Sequence, residues 1–144
     1  MIQLNKKVLV TGVFDVLHLE HIIFLKKAKN LGSYLVIGIE SDKRVKIMKG
    51  LDRPINPELT RISNLKKLDL ADEIFVLPEQ FNRAEDHLKL IKSINPDFLA
   101  VSSHTQHLDK KHKIVEQVGG KVVIVHEHNP KISSSKIISK TKSY

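Results

Sequence analysis

Short β-branched runs alternate along the chain with stretches whose apolar residues recur at helical spacing. "KKVLVT" (6–11), "YLVIGI" (34–39), "EIFVL" (73–77), "DFLAV" (97–101) and "KVVIV" (121–125) are nearly continuous apolar runs. That is the pattern of strands buried on both faces of a sheet. Between them, Ile22, Leu25 and Ala28 share one helix face. A second helix opens near Pro57 and is expected to align Leu59, Ile62, Leu65 and Leu68. Leu88, Ile91 and Ile94 mark a third, closed by Asn95-Pro96. Ile114, Val115 and Val118 mark a fourth, ended by Gly119-Gly120. A last short helix is expected to start in "SSSKII". The alternation predicts one α/β domain over 1–144: a five-stranded parallel sheet, helices on both faces, right-handed crossovers. The irregular connection is 40–57, "ESDKRVKIMKGLDRPIN". It is basic and interrupted by Gly50 and Pro54, and reads as a mobile loop near a site.

Composition narrows the chemistry. The 144 residues are 41% hydrophobic, ordinary for a globular domain, and include no cysteine. Neither a disulfide framework nor a thiolate metal site is possible. "MIQLNKKVLV" is too short and polar for a signal peptide, and no apolar run is long enough to cross a bilayer. A cytoplasmic location is therefore expected. The net charge of +8 favours anionic partners such as nucleotides, sugar phosphates or nucleic acid, or else marks a lysine-coated surface. Aromatic residues make up 5% of the chain and tryptophan is absent, so no stacking platform supports a nucleic-acid reading. His104, His107 and His112, like His126 and His128, lack a cysteine or carboxylate arrangement to complete a tetrahedral zinc set.

The candidate chemistry sits in "TGVFDVLHLEH", Thr11 to His21, where the first strand gives way to the first helix. Ligands of parallel sheets bind beyond the carboxyl ends of the strands. Gly12 would let the backbone approach such a ligand. His18 and His21 share one helix face, at a helix N-terminus whose N–H groups already favour an anion. Two imidazole donors there would embrace a phosphate.

The stretch G-V-F-D-V-L-H-L-E-H resembles the signature G-x-F-D-x-x-H-x-G-H of the cytidylyltransferase-like nucleotidyltransferases. The likeness runs down nearly the whole chain. "KGLDRPINPELTR" (49–61) is similar to that family's lysine loop and arginine helix. "GGKVVIV" followed by "ISSSKII" is similar to its last strand and Ser/Thr-rich phosphate turn. Within the family, the chain is similar to the adenylyltransferase domain of the bifunctional heptose-phosphate enzymes. Glycerol-3-phosphate cytidylyltransferases are more distant.

The resemblance implies a Rossmann-like nucleotidyltransferase fold and transfer of AMP from ATP to a sugar-phosphate-type acceptor, with release of pyrophosphate. CTP with a polyol phosphate, or a catalytically impaired nucleotide-binding module, are its alternatives. His18, His21 and Lys49 would be catalytic. Thr11, Gly12, Val13, Phe14, Asp15, Arg61, Ser133, Ser134 and Ser135 would bind the nucleotide, with Asp15 ordering the turn or steadying a histidine or a ribose rather than acting as a base. Mg2+ would accompany the triphosphate, and a homodimer is implied. Plainer roles exist for several of these residues: a solvated Lys49, a serine run that only caps a helix; Arg53 is read evenly as a ligand contact or a surface residue.

Three departures from the family pattern stand out. Glu20 replaces the glycine between the histidines, and a carboxylate there would repel a triphosphate. "VSSHT" (101–105) replaces a glycine-and-aspartate turn near the base and acceptor pockets. Lys131 replaces a glycine before the serine run.

Overall fold

In the computed structural model, residues 5–126 are described. The strands are β1 (Lys7–Gly12), β2 (Tyr34–Ile39), β3 (Glu73–Val76), β4 (Phe98–Ser102) and β5 (Lys121–His126). They pair in parallel in the order β3-β2-β1-β4-β5. Five helices connect and cover them: α1 (Leu19–Lys29), α2 (Asp42–Lys49), α3 (Glu58–Lys67), α4 (Ala84–Ile94) and α5 (Leu108–Glu116). The expected last helix in "SSSKII" lies outside the described residues.

Alternation along the strands divides the core. Val8, Val10, Leu35 and Ile37 face Leu25, Ala28 and Leu65, which α1 and α3 supply. Leu9, Val36, Leu99 and Val101 face Ile91 and Val115, which α4 and α5 supply. The period-2 pattern thus fills both faces, as the sequence predicts.

Two expectations need correction. The segment 40–57 is not one loop. Ser41 caps α2, its hydroxyl accepting the Arg44 N–H at 3.1 Å. The helix escapes the hydrophobic pattern because Val45 alone among its residues is buried. The stretch beyond α2 is tied down rather than loose: Ile55 and Asn56 donate backbone N–H groups to the Asp15 carboxylate at 2.9 and 2.8 Å. In α3, Leu59 is 82% exposed. The buried stripe runs through Arg61 and Leu65, and residue 59 lies about 200° around the helix from residue 61.

Candidate active site

The strand order reverses direction between β1 and β4, and a crevice opens at their carboxyl ends. A cavity of about 390 Å³ lies there, walled by Thr11 to Asp15, His18, Glu20, His21, Phe24, Lys49, Arg53, Leu99 to Ser102, Thr105, Lys111 and His126. Open parallel sheets bind ligands at this switch point. Residues from β1, α1, α2, β4, α5 and β5 meet in it.

The histidines are held as a unit. His18 is the N-cap of α1, with extended φ and ψ of −139° and 177°. The His18 and His21 rings stack with centroids 3.8 Å apart. Phe14 meets His21 edge-on at 5.4 Å. The His18 backbone N–H points to His21 Nδ1 at 3.4 Å. An Nδ1 that accepts places the ring proton of neutral His21 on Nε2, where it is a donor.

Asp15 is buried and its carboxylate is occupied. Arg53 Nε donates to it at 3.1 Å, beside the Ile55 and Asn56 N–H groups. The Asn56 amide returns a bond to the Asp15 carbonyl at 2.7 Å. Asp15 therefore orders the turn, one of the roles expected of it, and is not disposed to act as a base. Gly12 lines the cavity and also makes room within the chain: a Cβ there would come within 2.9 Å of the Phe14 ring. Phe14 itself adopts a left-handed φ of 50°.

Lys49 is the last residue of α2, not a loop residue, and it reaches the cavity wall. A helix C-terminus suits a cation. Desolvation, then the neighbouring Arg53 guanidinium, pushes its pKa below the ordinary lysine value; the Asp15 charge opposes them.

Arg61, expected at the triphosphate, does not line the cavity. It is fully buried. Its Nε donates to the Asn56 carbonyl at 2.9 Å, and Nη1 to the Val13 and Glu40 carbonyls at 3.0 and 2.7 Å. Nη2 meets Asp42 Oδ1 at 2.7 Å. The guanidinium is a tie among three segments that form the site's frame. Ser133, Ser134 and Ser135 lie outside the described residues, as does Lys131.

Glu20 turns neither to solvent nor away from the crevice. Its carboxylate bonds His126 Nε2 at the end of β5, and both side chains are nearly enclosed, at 13% and 12% exposure. Lys27 Nζ approaches His126 Nδ1 at 3.1 Å. An ammonium can only donate, so Nδ1 accepts and Nε2–H donates to Glu20. The carboxylate is thus compensated by Lys27 through the imidazole. We expect Glu20→Gly to tighten nucleoside triphosphate binding by less than tenfold. An unpaired carboxylate about 5 Å from a phosphate would oppose binding by on the order of 3 kcal/mol before screening. Titration calorimetry decides; tightening approaching a hundredfold would mean that the charge faces the phosphates.

Sequence reasoning missed Lys111 and His126. His126 carried a signal, since it ends the last strand at the same sheet edge as Thr11. Lys111 carried none within "DKKHK". In the "VSSHT" segment, Ser102 and Thr105 do line the cavity, joined by a turn in which the Thr105 N–H meets the Ser102 carbonyl at 3.1 Å.

A parallel sheet of this order, with a crevice ringed by imidazole and ammonium groups at its switch point, defines a Rossmann-like nucleotide-binding architecture. Residues 9–140 match the model of the cytidylyltransferase-like family, and the chain belongs to that family. It is 37% identical over 144 residues to the bifunctional protein HldE of Campylobacter jejuni, covering 97% of this chain and 29% of that protein. Against the bifunctional protein HldE of Nitratiruptor sp. it is 42% identical over 96 residues, 66% of this chain and 20% of that one. The chain thus spans less than a third of these relatives. Among solved structures it is similar to the lipopolysaccharide core biosynthesis protein from Thermoplasma volcanium, with a TM-score of 0.67 and 26% identity over 86% of this chain and 96% of that one. Pantoate-beta-alanine ligase from Francisella tularensis shares the fold, with a TM-score of 0.63 and 17% identity over 95% of this chain and 69% of that one.

Proposed function

We propose that the chain is a nucleotidyltransferase that moves AMP from ATP to a sugar-phosphate-type acceptor. The observation that carries this reading is the stacked His18–His21 pair at the N-terminus of α1, opening on the switch-point cavity. Membership of the cytidylyltransferase-like family and the likeness to HldE proteins support it. An acceptor phosphate oxygen would attack the α-phosphorus of ATP. One P–O bond forms, the bond from the α-phosphorus to the bridging oxygen breaks, and pyrophosphate leaves with that oxygen. The attacking oxygen is already anionic, so no general base is required. Catalysis is then positioning and charge stabilisation.

In this reading His18 and His21 donate to triphosphate oxygens as charge builds, and Lys49 neutralises the β- and γ-phosphates from the end of α2. The backbone of Thr11 to Phe14 forms the floor under the nucleotide. No group of three or more His, Cys, Asp or Glu side chains among the described residues forms a metal cage, and the Asp15 carboxylate is already occupied. Mg2+ would arrive with the triphosphate, held by phosphate oxygens and water. It would supply further neutralisation of the leaving pyrophosphate. No helix among the described residues is long and apolar enough to cross a membrane. A cytoplasmic location and a homodimer belong to the same proposal.

The test is pyrophosphate release with ATP or CTP against a panel of sugar and polyol phosphates. ATP with a sugar phosphate is expected to give the faster release. Release only with CTP and a polyol phosphate would reassign the substrates.

Lys49 gives a pH signature. Its charged form is required, and its pKa is lowered in the free protein. The rate at low ATP should therefore fall as pH rises through that lowered value, earlier than an ordinary lysine would cause. Lys49→Arg should move the limb upward, beyond the accessible range, and Lys49→Ala should abolish it along with most of the rate. An unchanged alkaline limb in Lys49→Ala would remove the lysine from the site.

A further inference from the structure

On the wall of the crevice opposite α1, a second and smaller cavity of about 130 Å³ runs between α4 and α5. Three residues line both cavities: Thr11, Leu99 and Lys111. Lys111 is partly buried at the start of α5, and its ammonium donates to the Thr105 hydroxyl. Glu40 shares the smaller cavity, but its carboxylate is committed to Arg44, at 3.4 Å from Nε. Among the described residues no carboxylate is paired with Lys111. Desolvation lowers its pKa, and its charge in turn adds to the burial that lowers His87. A half-buried cation facing open space, bonded to a neutral hydroxyl, is a poor arrangement unless an anion completes it.

We infer that Lys111, steadied by Thr105, binds the phosphate of the acceptor, on the side of the crevice opposite the histidines that take the triphosphate. The inference rests on the nucleotidyltransferase reading and deepens it. In-line displacement needs the attacking and leaving oxygens on opposite sides of the α-phosphorus. The α1 helix, with His18 and His21, lies on one face of the sheet and α5, with Lys111, on the other. A lysine suits this task as a point charge: it holds a phosphate without fixing which oxygen attacks. The segment "VSSHT" then has a use, because Thr105 is the residue that aims Lys111.

The experiment titrates inorganic phosphate into the protein by calorimetry, without and with saturating Mg2+ and α,β-methylene ATP, whose α–β link cannot be cleaved. Wild type is expected to bind phosphate with the analogue in place, which fills the histidine site and leaves the Lys111 site to report. Lys111→Met should weaken phosphate at least roughly tenfold, or about 1.4 kcal/mol, while leaving the affinity for the ATP analogue unchanged. Lys111→Arg should restore most of the loss. Thermal melts of each variant show that it is folded. The proposal is overturned if, with the analogue bound, Lys111→Met binds phosphate as wild type does. It is overturned equally if wild type saturated with the analogue shows no saturable phosphate binding up to tens of millimolar, which would put Lys111 at the triphosphate. A wild type that fails to bind the analogue at all sinks the nucleotidyltransferase reading, and with it the acceptor role. That failure shows in the analogue titration, not in the phosphate titration.

Discussion

His18→Ala should lower turnover by roughly 100-fold or more, equivalent to about 2.7 kcal/mol of transition-state stabilisation, while the protein still folds. The expectation comes from position. His18 caps α1 at the mouth of the cavity, and its ring packs on His21 rather than in either core cluster. Losing the ring forfeits a stacking contact and a share in the α1 capping box, each worth about 1 kcal/mol of stability. His21→Ala should have a similar effect on rate. The double variant should lose little beyond either single one, because groups that act as a unit are not additive. His18→Asn separates capping from chemistry. Asparagine is a good N-cap, so it should keep or raise stability without restoring turnover. A folded His18→Ala protein with near-normal turnover would make the histidine a structural cap. The rate is read by steady-state pyrophosphate release and the fold by thermal melting.

Arg61→Met should have the largest effect on stability, about 3 kcal/mol or more. Methionine fills much of the volume but donates nothing. The Val13, Glu40 and Asn56 carbonyls would each lose a buried donor, and Asp42 would lose its ion partner. Such a loss is a large share of the 5–15 kcal/mol typical of a domain. With a urea slope of about 1–3 kcal/mol per molar, the midpoint should fall by at least roughly 1 M. Arg61→Lys should recover little, because a single ammonium cannot span four acceptors on three segments. The outcome distinguishes the frame from the site. A nucleotide ligand would yield a stable Arg61→Lys protein with weakened ATP binding and an unchanged urea midpoint.

Much of this architecture was legible in the hydrophobic pattern. The inner strands β1, β2 and β4 are buried on both faces, so their apolar runs are continuous, and all five strands fall within a residue or so of their expected bounds. The α1, α4 and α5 helices bury Leu25 and Ala28, Ile91, and Val115, all on the predicted faces. The α2 helix was hidden because it leans on the core through Val45 alone and is held by its cap and by Arg61. Leu59 misled because a leucine on a helix is a strong apolar signal, yet the stripe of α3 is centred on a buried arginine. Burying that arginine depends on carbonyls from residues 13, 40 and 56, and no local pattern announces them.

The site was legible to the extent that its residues are contiguous. Thr11 to His21 meet as a block because a strand, a tight turn and a helix start place them together. Lys111 and His126 arrive from other segments, and only the strand order β1-β4-β5 brings them to the crevice. Glu20 was the sharpest ambiguity, because its partners stand far off in sequence: His126 is 106 residues away. The pairing gives the Glu20 carboxylate a partner within the chain: His126 bonds it, and Lys27 lies against the other nitrogen of that imidazole.

The most direct test of the nucleotidyltransferase reading is a calorimetric titration of the wild-type chain with Mg2+ and α,β-methylene ATP, beside the same titration of His18→Ala and His21→Ala. Saturable binding to wild type is expected, with weaker binding to both variants, and a thermal shift for wild type of about 2.7 kcal/mol at 100 times the dissociation constant. A wild-type chain that binds no triphosphate at millimolar concentration would contradict that reading, because the cavity at the ends of β1 and β4 must hold the triphosphate whatever the acceptor proves to be.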